Sequence, residues 1–258
     1  MTRDDLALAF ARIAAEASVA VMKVYETDFT TFSKADRSPV TEADRRAEAI
    51  ILQRLQALLP ETPVLAEEQY EAGVKLDTGD RFVLVDPVDG TKEFIHRRGE
   101  FTVNIGLIED GRPVAGAVAA PARGTVWYGG ERAFRAPIEN GAVNVAEGRL
   151  VQVRKKRAGA VKAVMSRSHA DEKTKAFAEA EGVTEIISAG SSLKFCLVAE
   201  GEADLYPRFG PTMEWDTAAG HAVLIAAGGS VETPEGGAFL YGKREADYRN
   251  GGFVARGR

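Results

Sequence analysis

The chain carries a single cysteine, Cys196, among 258 residues. An internal disulfide is therefore excluded, and a reducing compartment fits. Cys196 lies in the apolar run Phe195-Cys196-Leu197-Val198, which reads as core and not as a reactive thiol. Surplus positive charge is missing too. The 33 Lys and Arg stand against 38 Asp and Glu, a net charge of −5, so duplex nucleic acid is not an expected partner. The one basic run, Arg154-Lys155-Lys156-Arg157, is short and reads as a solvated loop, with binding to an anionic surface as the alternative. No apolar run reaches membrane-spanning length, and the N-terminus, charged from Arg3 to Asp5, has no signal-peptide pattern. The expected location is cytoplasmic, with peripheral attachment at the cytoplasmic face of the inner membrane left open. His96, His169 and His221 match no zinc spacing. Repeats and low-complexity tracts are absent.

What is present is an ordinary globular composition, 45% hydrophobic and 28% charged, enough for one large core or two smaller ones. Leu6, Phe10, Ile13, Ala17 and Val21 recur at helical spacing and predict a helix over about 4–25. Thr41, with Asp44 three residues on, resembles a capping box. Ala47, Ile51, Leu55 and Leu58 continue the period to Pro60. Residues 64–66 read as a strand delivering Glu67 and Glu68, and 81–86 as a strand that Pro87 stops. Strand-like runs follow at 101–109, 114–120 and 125–128, with a hairpin turn at 109–112. The polar stretch 137–148 marks a boundary. Beyond it, strands at 161–165, 185–188 and 203–206 alternate with helices at 172–180, 193–200 and 217–227, the last closed by Gly228-Gly229. The expected architecture is mixed, α+β to α/β: a half over 1–136, a half over 137–258, and the site between them.

The most informative segment is Asp86-Pro87-Val88-Asp89-Gly90-Thr91, directly after the apolar run Phe82–Val85. Two carboxylates sit where a buried strand meets a tight turn. Gly90 lets the backbone bend and approach a ligand closely, and the amides after it can face an anion. Carboxylates for a hard cation beside amides for a phosphate point to metal-assisted phosphate chemistry. Asp44, Glu67 and Asp216 add acids near other element ends. Each has a plain alternative: Asp44 and Asp216 as helix caps, Glu67-Glu68 as a solvated pair. Together they are harder to dismiss, since Asp86 closes an apolar run where an unpaired charge is costly and a cation removes that cost. The three-residue step from Asp86 to Asp89 disfavours the D-x-D aspartyl phosphatases, and no EF-hand loop is present.

Glu67-Glu68, the Asp86–Thr91 segment and Trp215-Asp216-Thr217-Ala218-Ala219-Gly220 together resemble the inositol monophosphatase superfamily of magnesium-dependent, lithium-sensitive phosphatases. The resemblance spans most of the chain in the right order. It implies a layered αβαβα sandwich of the inositol monophosphatase and sugar phosphatase type, and two or three magnesium ions. Glu67, Asp86 and the Val88 carbonyl are the implied ligands of one ion. Asp86, Asp89 and Asp216 are those of a second, and Glu67 serves a third through water. Gly90 and Thr91 are the implied phosphate binders through backbone N–H groups. Asp44 is the implied partner of the Thr91 hydroxyl in activating water.

Ala189-Gly190-Ser191-Ser192-Leu193-Lys194-Phe195-Cys196 and Ala203–Gly210 resemble the 3′(2′),5′-bisphosphate nucleotidase branch of that superfamily, as does Ser38–Asp44. Arg208 stands where inositol-specific members carry an acid. A carboxylate there would recognise hydroxyls, whereas Arg208 and Lys194 attract a second phosphate. Ser168, His169, Gly190 and Ser191 are implied partners of base, ribose or second phosphate. For Lys194 and His169 the plain alternatives are a surface helix residue and a loop residue. The resemblance thus implies a phosphomonoesterase that takes the 3′-phosphate from adenosine 3′,5′-bisphosphate, giving AMP and phosphate, and also acts on the sulfated analogue. An inositol or sugar phosphatase is the first alternative. A non-catalytic metal- or anion-binding protein is the second.

Overall fold

The computed structural model describes residues 1–28, 39–155, 159–166 and 171–258. Helix α1 (Arg3–Tyr25) starts on a reciprocal cap. Thr2 Oγ1 accepts from Asp5 N at 3.1 Å, and an Asp5 carboxylate oxygen accepts from Thr2 N at 2.9 Å. Helix α2 (Pro39–Leu58) begins two residues before Thr41. The expected Thr41 cap is thus corrected: Pro39, with its preset φ, opens the helix, and Thr41 lies within the first turn. The buried stripes of the two helices, among them Phe10, Ile51 and Leu55, pack on one face of the first sheet.

That sheet holds β1 (Val64–Ala66), β2 (Arg81–Asp89), β3 (Thr102–Glu109), β4 (Arg112–Ala120), β5 (Thr125–Gly129), β6 (Ala133–Glu139), β7 (Ala142–Val143) and β8 (Arg149–Val151). The first seven neighbour one another in sequence order, and β8 pairs back on β6. Only β1 and β2 run parallel among these pairs; the rest are antiparallel. Short α3 (Glu67–Glu71) follows β1, and short α4 (Thr91–Ile95) follows β2. Pro87 does not end β2. The ladder to β3 slips between Asp86 and Asp89 and then resumes at Asp89↔Thr102. Proline's missing donor makes a bulge here and not a stop. Strands β7 and β8 both pair with β6, so the first sheet continues to Val151.

The second sheet runs β10 (Val183–Ser188), β9 (Val161–Met165), β11 (Leu205–Arg208), β15 (Phe253–Arg256), β13 (Ser230–Glu232). A small ladder joins β12 (Thr212–Met213) to β14 (Arg249–Asn250). Helices α6 (Leu193–Ala199) and α7 (Ala218–Ala226) lie between the two sheets in the largest apolar cluster, which includes Leu84, Trp127, Phe195 and Phe253. Helix α5 (Glu172–Ala180) covers the far side of the second sheet. The five layers are helix, sheet, helix, sheet, helix. Cys196 is fully buried in the middle layer, as its apolar neighbours predict.

One seam fixes how close the layers come. Gly106, Gly116 and Gly129 are register neighbours on β3, β4 and β5, so they form a row across the first sheet. A Cβ on Gly106 would stand 2.9 Å from the Ala218 backbone, one on Gly116 2.8 Å from the Ala219 carbonyl, and one on Gly129 2.8 Å from Ala226 Cβ. Alanine-rich α7 therefore lies directly on sheet backbone. Gly116→Ala forces helix and sheet apart and should cost about 1–3 kcal/mol, the usual range for overpacking. Calorimetry should show a melting temperature lower by several degrees; an unchanged value would mean that the seam can give way.

Candidate active site

The site forms where β2 ends, α2 passes and α7 begins. Asp44 lies well inside α2 and is 7% exposed, too deep to cap the helix. It faces a cluster of acids. Burial foremost, then the charges of Glu68, Glu67, Glu48 and Glu71, push its pKa up to about 9. Glu67 opens α3 and is pushed up to about 8 by burial, then by Asp216; it also shares a side-chain hydrogen bond with Asp86. Two carboxyls can share such a bond only if one carries a proton. Asp86 is 1% exposed, and its Oδ1 is buried with no hydrogen-bond partner. Burial, then Glu67, Asp89, Asp216 and Asp44, hold its pKa well above the ordinary value.

Asp216 does not cap α7. The helix starts at Ala218 with Thr217 as its N-cap residue, and Asp216 Oδ2 accepts from Met213 N at 2.8 Å. Burial, then Asp89, raises it to about 7. Asp89 Oδ2 accepts from Ser192 N at 2.7 Å, and the Asp89 carbonyl accepts from Ser191 Oγ at 2.8 Å. Val88 sits in the bulge of β2, where the ladder is out of register. Gly90 takes φ +101°, a left-handed conformation suited to glycine, and is the N-cap of α4. Thr91 is exposed at the first position of α4, which lies against α2. Thr91 and Asp44 make no hydrogen bond to each other.

A cavity of about 280 Å³ opens over part of this set, without Asp44, Glu67, Asp86 or Val88 in its lining. Asp89, Gly90, Thr91, Asp216, Gly190, Ser191, Lys194 and Arg208 all line it. Lys194 is no surface residue: it is 3% exposed, its Nζ donates to the Ser191 carbonyl at 2.6 Å and stands 5.2 Å from the Tyr206 ring centroid. Burial lowers its pKa to about 8 against the pull of the Asp89 carboxylate, which leaves it mainly cationic at neutral pH. Arg208 is half-buried and donates to the carbonyls of Gly210 and Pro211. Ser38, Ser168 and His169 lie outside the described residues, as do Lys156 and Arg157. Arg154 departs from the solvated-loop expectation, since it grips Asp204 with two hydrogen bonds of 2.6 and 2.7 Å. His221 is a core residue bonded to Tyr241 Oη at 3.0 Å, and burial drives it down to about 3, so it stays neutral. His96 is exposed and bonds the Lys92 carbonyl.

The sequence reading missed Glu48. It lies one turn after Asp44 on α2, is 5% exposed, and accepts from Glu68 N at 2.9 Å. Burial raises it to about 7. Its signal was available: Asp44 and Glu48 interrupt the apolar stripe of Ala43, Ala47, Ile51 and Leu55 at i, i+4 spacing. Tyr206, which carries the Lys194 ammonium over its ring, lies in the Ala203–Gly210 segment but has no role of its own in the sequence reading.

The acids do not already form a closed shell. Among the described residues no group of three His, Cys, Asp or Glu side chains is arranged to hold an ion. The residue types and charges nevertheless suit a hard cation. Carboxylates from α2, α3, β2 and the start of α7 raise one another's pKa, and the Asp86 oxygen with no partner is the type of donor that magnesium or its bound water would satisfy.

The inositol monophosphatase family model matches residues 3–257, and the chain belongs to that family. Within it, the chain is similar to the 3′(2′),5′-bisphosphate nucleotidase CysQ of Escherichia coli K12, 47% identical over 94% of this chain and 96% of that protein. The CysQ of Buchnera aphidicola is 40% identical over 95% of this chain and 91% of its own. Among solved structures, CysQ from Bacteroides thetaiotaomicron superposes with a TM-score of 0.85 at 38% identity, covering 98% of this chain and 97% of that one. An inositol monophosphatase from Zymomonas mobilis shares the fold, with a TM-score of 0.78 at 24% identity over 99% of this chain and 94% of its own.

Proposed function

We propose that this chain is a phosphomonoesterase that removes the 3′-phosphate of adenosine 3′,5′-bisphosphate, leaving AMP and phosphate, and that also accepts the sulfated analogue. The observation that carries this reading is the meeting, in one cavity, of carboxylates (Asp89, Asp216) with two cations, Lys194 and Arg208. A substrate with one phosphate at the acids and another beside the cations fits both groups. Similarity to the CysQ nucleotidases over nearly the whole chain supports the same substrate class.

Glu67, Asp86, Asp89, Asp216 and the Val88 carbonyl would hold magnesium, two or three ions in all. Bound there, magnesium supplies charge stabilisation at the phosphoryl oxygens and lowers the pKa of water at the site. The chain's own contribution is positioning and proton handling. The N–H groups of Gly90 and Thr91 bind the scissile phosphate. Thr91 Oγ1 orients the attacking water, and Asp44, on the facing helix, accepts its proton through that hydroxyl once the charge of bound magnesium has brought Asp44 down from about 9. Arg208 and Lys194 hold the second phosphate, while Gly190 and Ser191 frame the base and ribose. The lone, buried Cys196 supports a cytoplasmic location. No described helix is long and apolar enough to cross a membrane, and the commitment of Arg154 to Asp204 takes one cation from the basic run.

The test is a side-by-side kinetic panel of adenosine 3′,5′-bisphosphate, AMP and inositol 1-phosphate, run on the native chain and on Arg208→Glu. The native protein should prefer the bisphosphate. Arg208→Glu should raise KM for the bisphosphate about 10-fold or more, in line with loss of a charge-assisted contact of about 1.5–3 kcal/mol, and should change KM for a monophosphate less. Better native turnover of inositol phosphate would reject the reading, and equal KM effects would reject the role of Arg208.

A further inference from the structure

We infer that Thr102, Asn104 and Ser192 form a buried clip that positions Asp89 for the cation, and that this clip joins the two halves of the molecule at the site. The inference rests on the magnesium reading above. Thr102 and Asn104 are neighbours on one face of β3, and each is the register partner of an acid on β2: Thr102 of Asp89, Asn104 of Asp86. Ser192 comes from the other half, as the N-cap residue of α6. The three side chains are 0%, 1% and 2% exposed. Their side chains bond among themselves and to Ser191: Ser192 Oγ donates to Asn104 Oδ1 at 2.6 Å, Thr102 Oγ1 and Ser192 Oγ are 2.8 Å apart, Asn104 Nδ2 donates to Thr102 Oγ1 at 3.3 Å, and Thr102 Oγ1 donates to Ser191 Oγ at 3.3 Å. Buried polar groups closed in this way leave no low-cost alternative arrangement.

What the clip holds is the Ser191-Ser192 turn, and that turn holds Asp89. Ser192 N–H donates to the Asp89 carboxylate, and Ser191 Oγ donates to the Asp89 carbonyl and, at 3.1 Å, to that of Glu100. Ser191 does this at φ +54°, a left-handed conformation that costs a serine energy and persists only where its surroundings over-determine it. The seam is cut to admit it from both sides. A Cβ on Gly90 would stand 2.9 Å from Ser191 Oγ, and one on Gly190 2.6 Å from Glu93 Cγ. One Asp89 oxygen is thereby fixed by a backbone donor from the opposite half. Thr102, Asn104 and Ser192 are positioning residues, since none of them is a cation ligand.

The experiment uses magnesium as the probe and compares the native chain with Thr102→Val, which is isosteric but lacks the hydroxyl, and Thr102→Ser, which keeps it. Calorimetric titration with magnesium should show affinity weakened about 10–100-fold in Thr102→Val, the usual cost of losing a group that orients a ligand, and near-native affinity in Thr102→Ser. In turnover assays at saturating magnesium, kcat should fall for Thr102→Val and stay near native for Thr102→Ser, so that the hydroxyl and not the side-chain volume is what the reaction needs. Ser192→Ala, which spares the N–H to Asp89, should repeat the pattern if Thr102→Val folds poorly. Native magnesium affinity in both hydroxyl-deleting variants would overturn the clip alone. A native chain that takes up no magnesium would overturn the metal reading, and the clip with it.

Discussion

Asp86→Asn should abolish most of the activity and yet make the metal-free protein more stable. Asp86 is sealed in β2, one of its oxygens has no partner, and Glu67, Asp89, Asp216 and Asp44 all disfavour its charge. An amide of nearly the same shape removes that charge and can donate to Glu67. Removing a buried charge that its neighbours oppose is worth about 1–3 kcal/mol, the scale of a buried polar group's desolvation penalty, which raises the melting temperature by several degrees in a chain of this size. Calorimetry in a chelator at pH 8 reads this directly. Turnover should drop at least about 100-fold, since even groups that only orient a ligand cost up to that much. Added magnesium should then reverse the order, stabilising the native chain and leaving the variant nearly unmoved. A variant less stable than native in chelator would remove the argument from the unpartnered oxygen, and near-native turnover would remove Asp86 from the ligand set.

The second large effect is the coupling of magnesium to pH. In the metal-free protein Asp44 sits at about 9, Glu67 at about 8, and Asp216 and Glu48 at about 7, whereas an unfolded carboxyl titrates near pH ~4. The folded state therefore binds more protons than the unfolded state between these values. The corresponding stability is fully present below the unfolded pKa and drains away as pH rises through the folded values. The metal-free melting temperature should thus fall from pH 6 to pH 9. A cation replaces those protons, so the stabilisation by magnesium should be small at pH 6 and grow across the same window. Apparent affinity should rise about tenfold per pH unit for each proton displaced. Thermal melts with and without magnesium at four pH values, and titrations in buffers of different ionisation heat, measure both. A magnesium effect independent of pH would mean that protons and cation do not compete for the same oxygens.

Much of this was legible in the residues alone. The helical period of α1 and the apolar run of β2 located the first layers, and the Asp86–Thr91 segment announced its chemistry through composition and spacing. Asp216 was picked out by its surroundings, although a helix cap was a fair rival until the structure placed it one residue too early for that role. What escaped has physical causes. Glu48 escaped because an acid on a helix is ordinarily read as solvent-facing. Thr41 was taken for the cap because the capping-box pattern does not register that Pro39 can open a helix earlier. Strands β13 and β15 escaped because they are short and paired from distant parts of the chain. The bulge at Pro87 looked like a terminus because a missing donor has both outcomes. The clip could not be read from a string at all, since it depends on which residue of β3 falls opposite which acid.

The glycine row under α7 carries a lesson about how such a protein can change. With only backbone and alanine methyls of α7 against the glycines there, the helix that follows Asp216 is held close to the sheet that carries Asp86 and Asp89. Lys194, Tyr206 and Arg208, by contrast, reach the cavity from α6 and β11 on the opposite wall. The glycine row leaves no room for a larger residue, while the cations that meet the second phosphate stand on separate elements. The two cations that select the ester can therefore be exchanged without moving the sheet and helix that set Asp86 and Asp216, so long as the Ser191-Ser192 turn that holds Asp89 is kept.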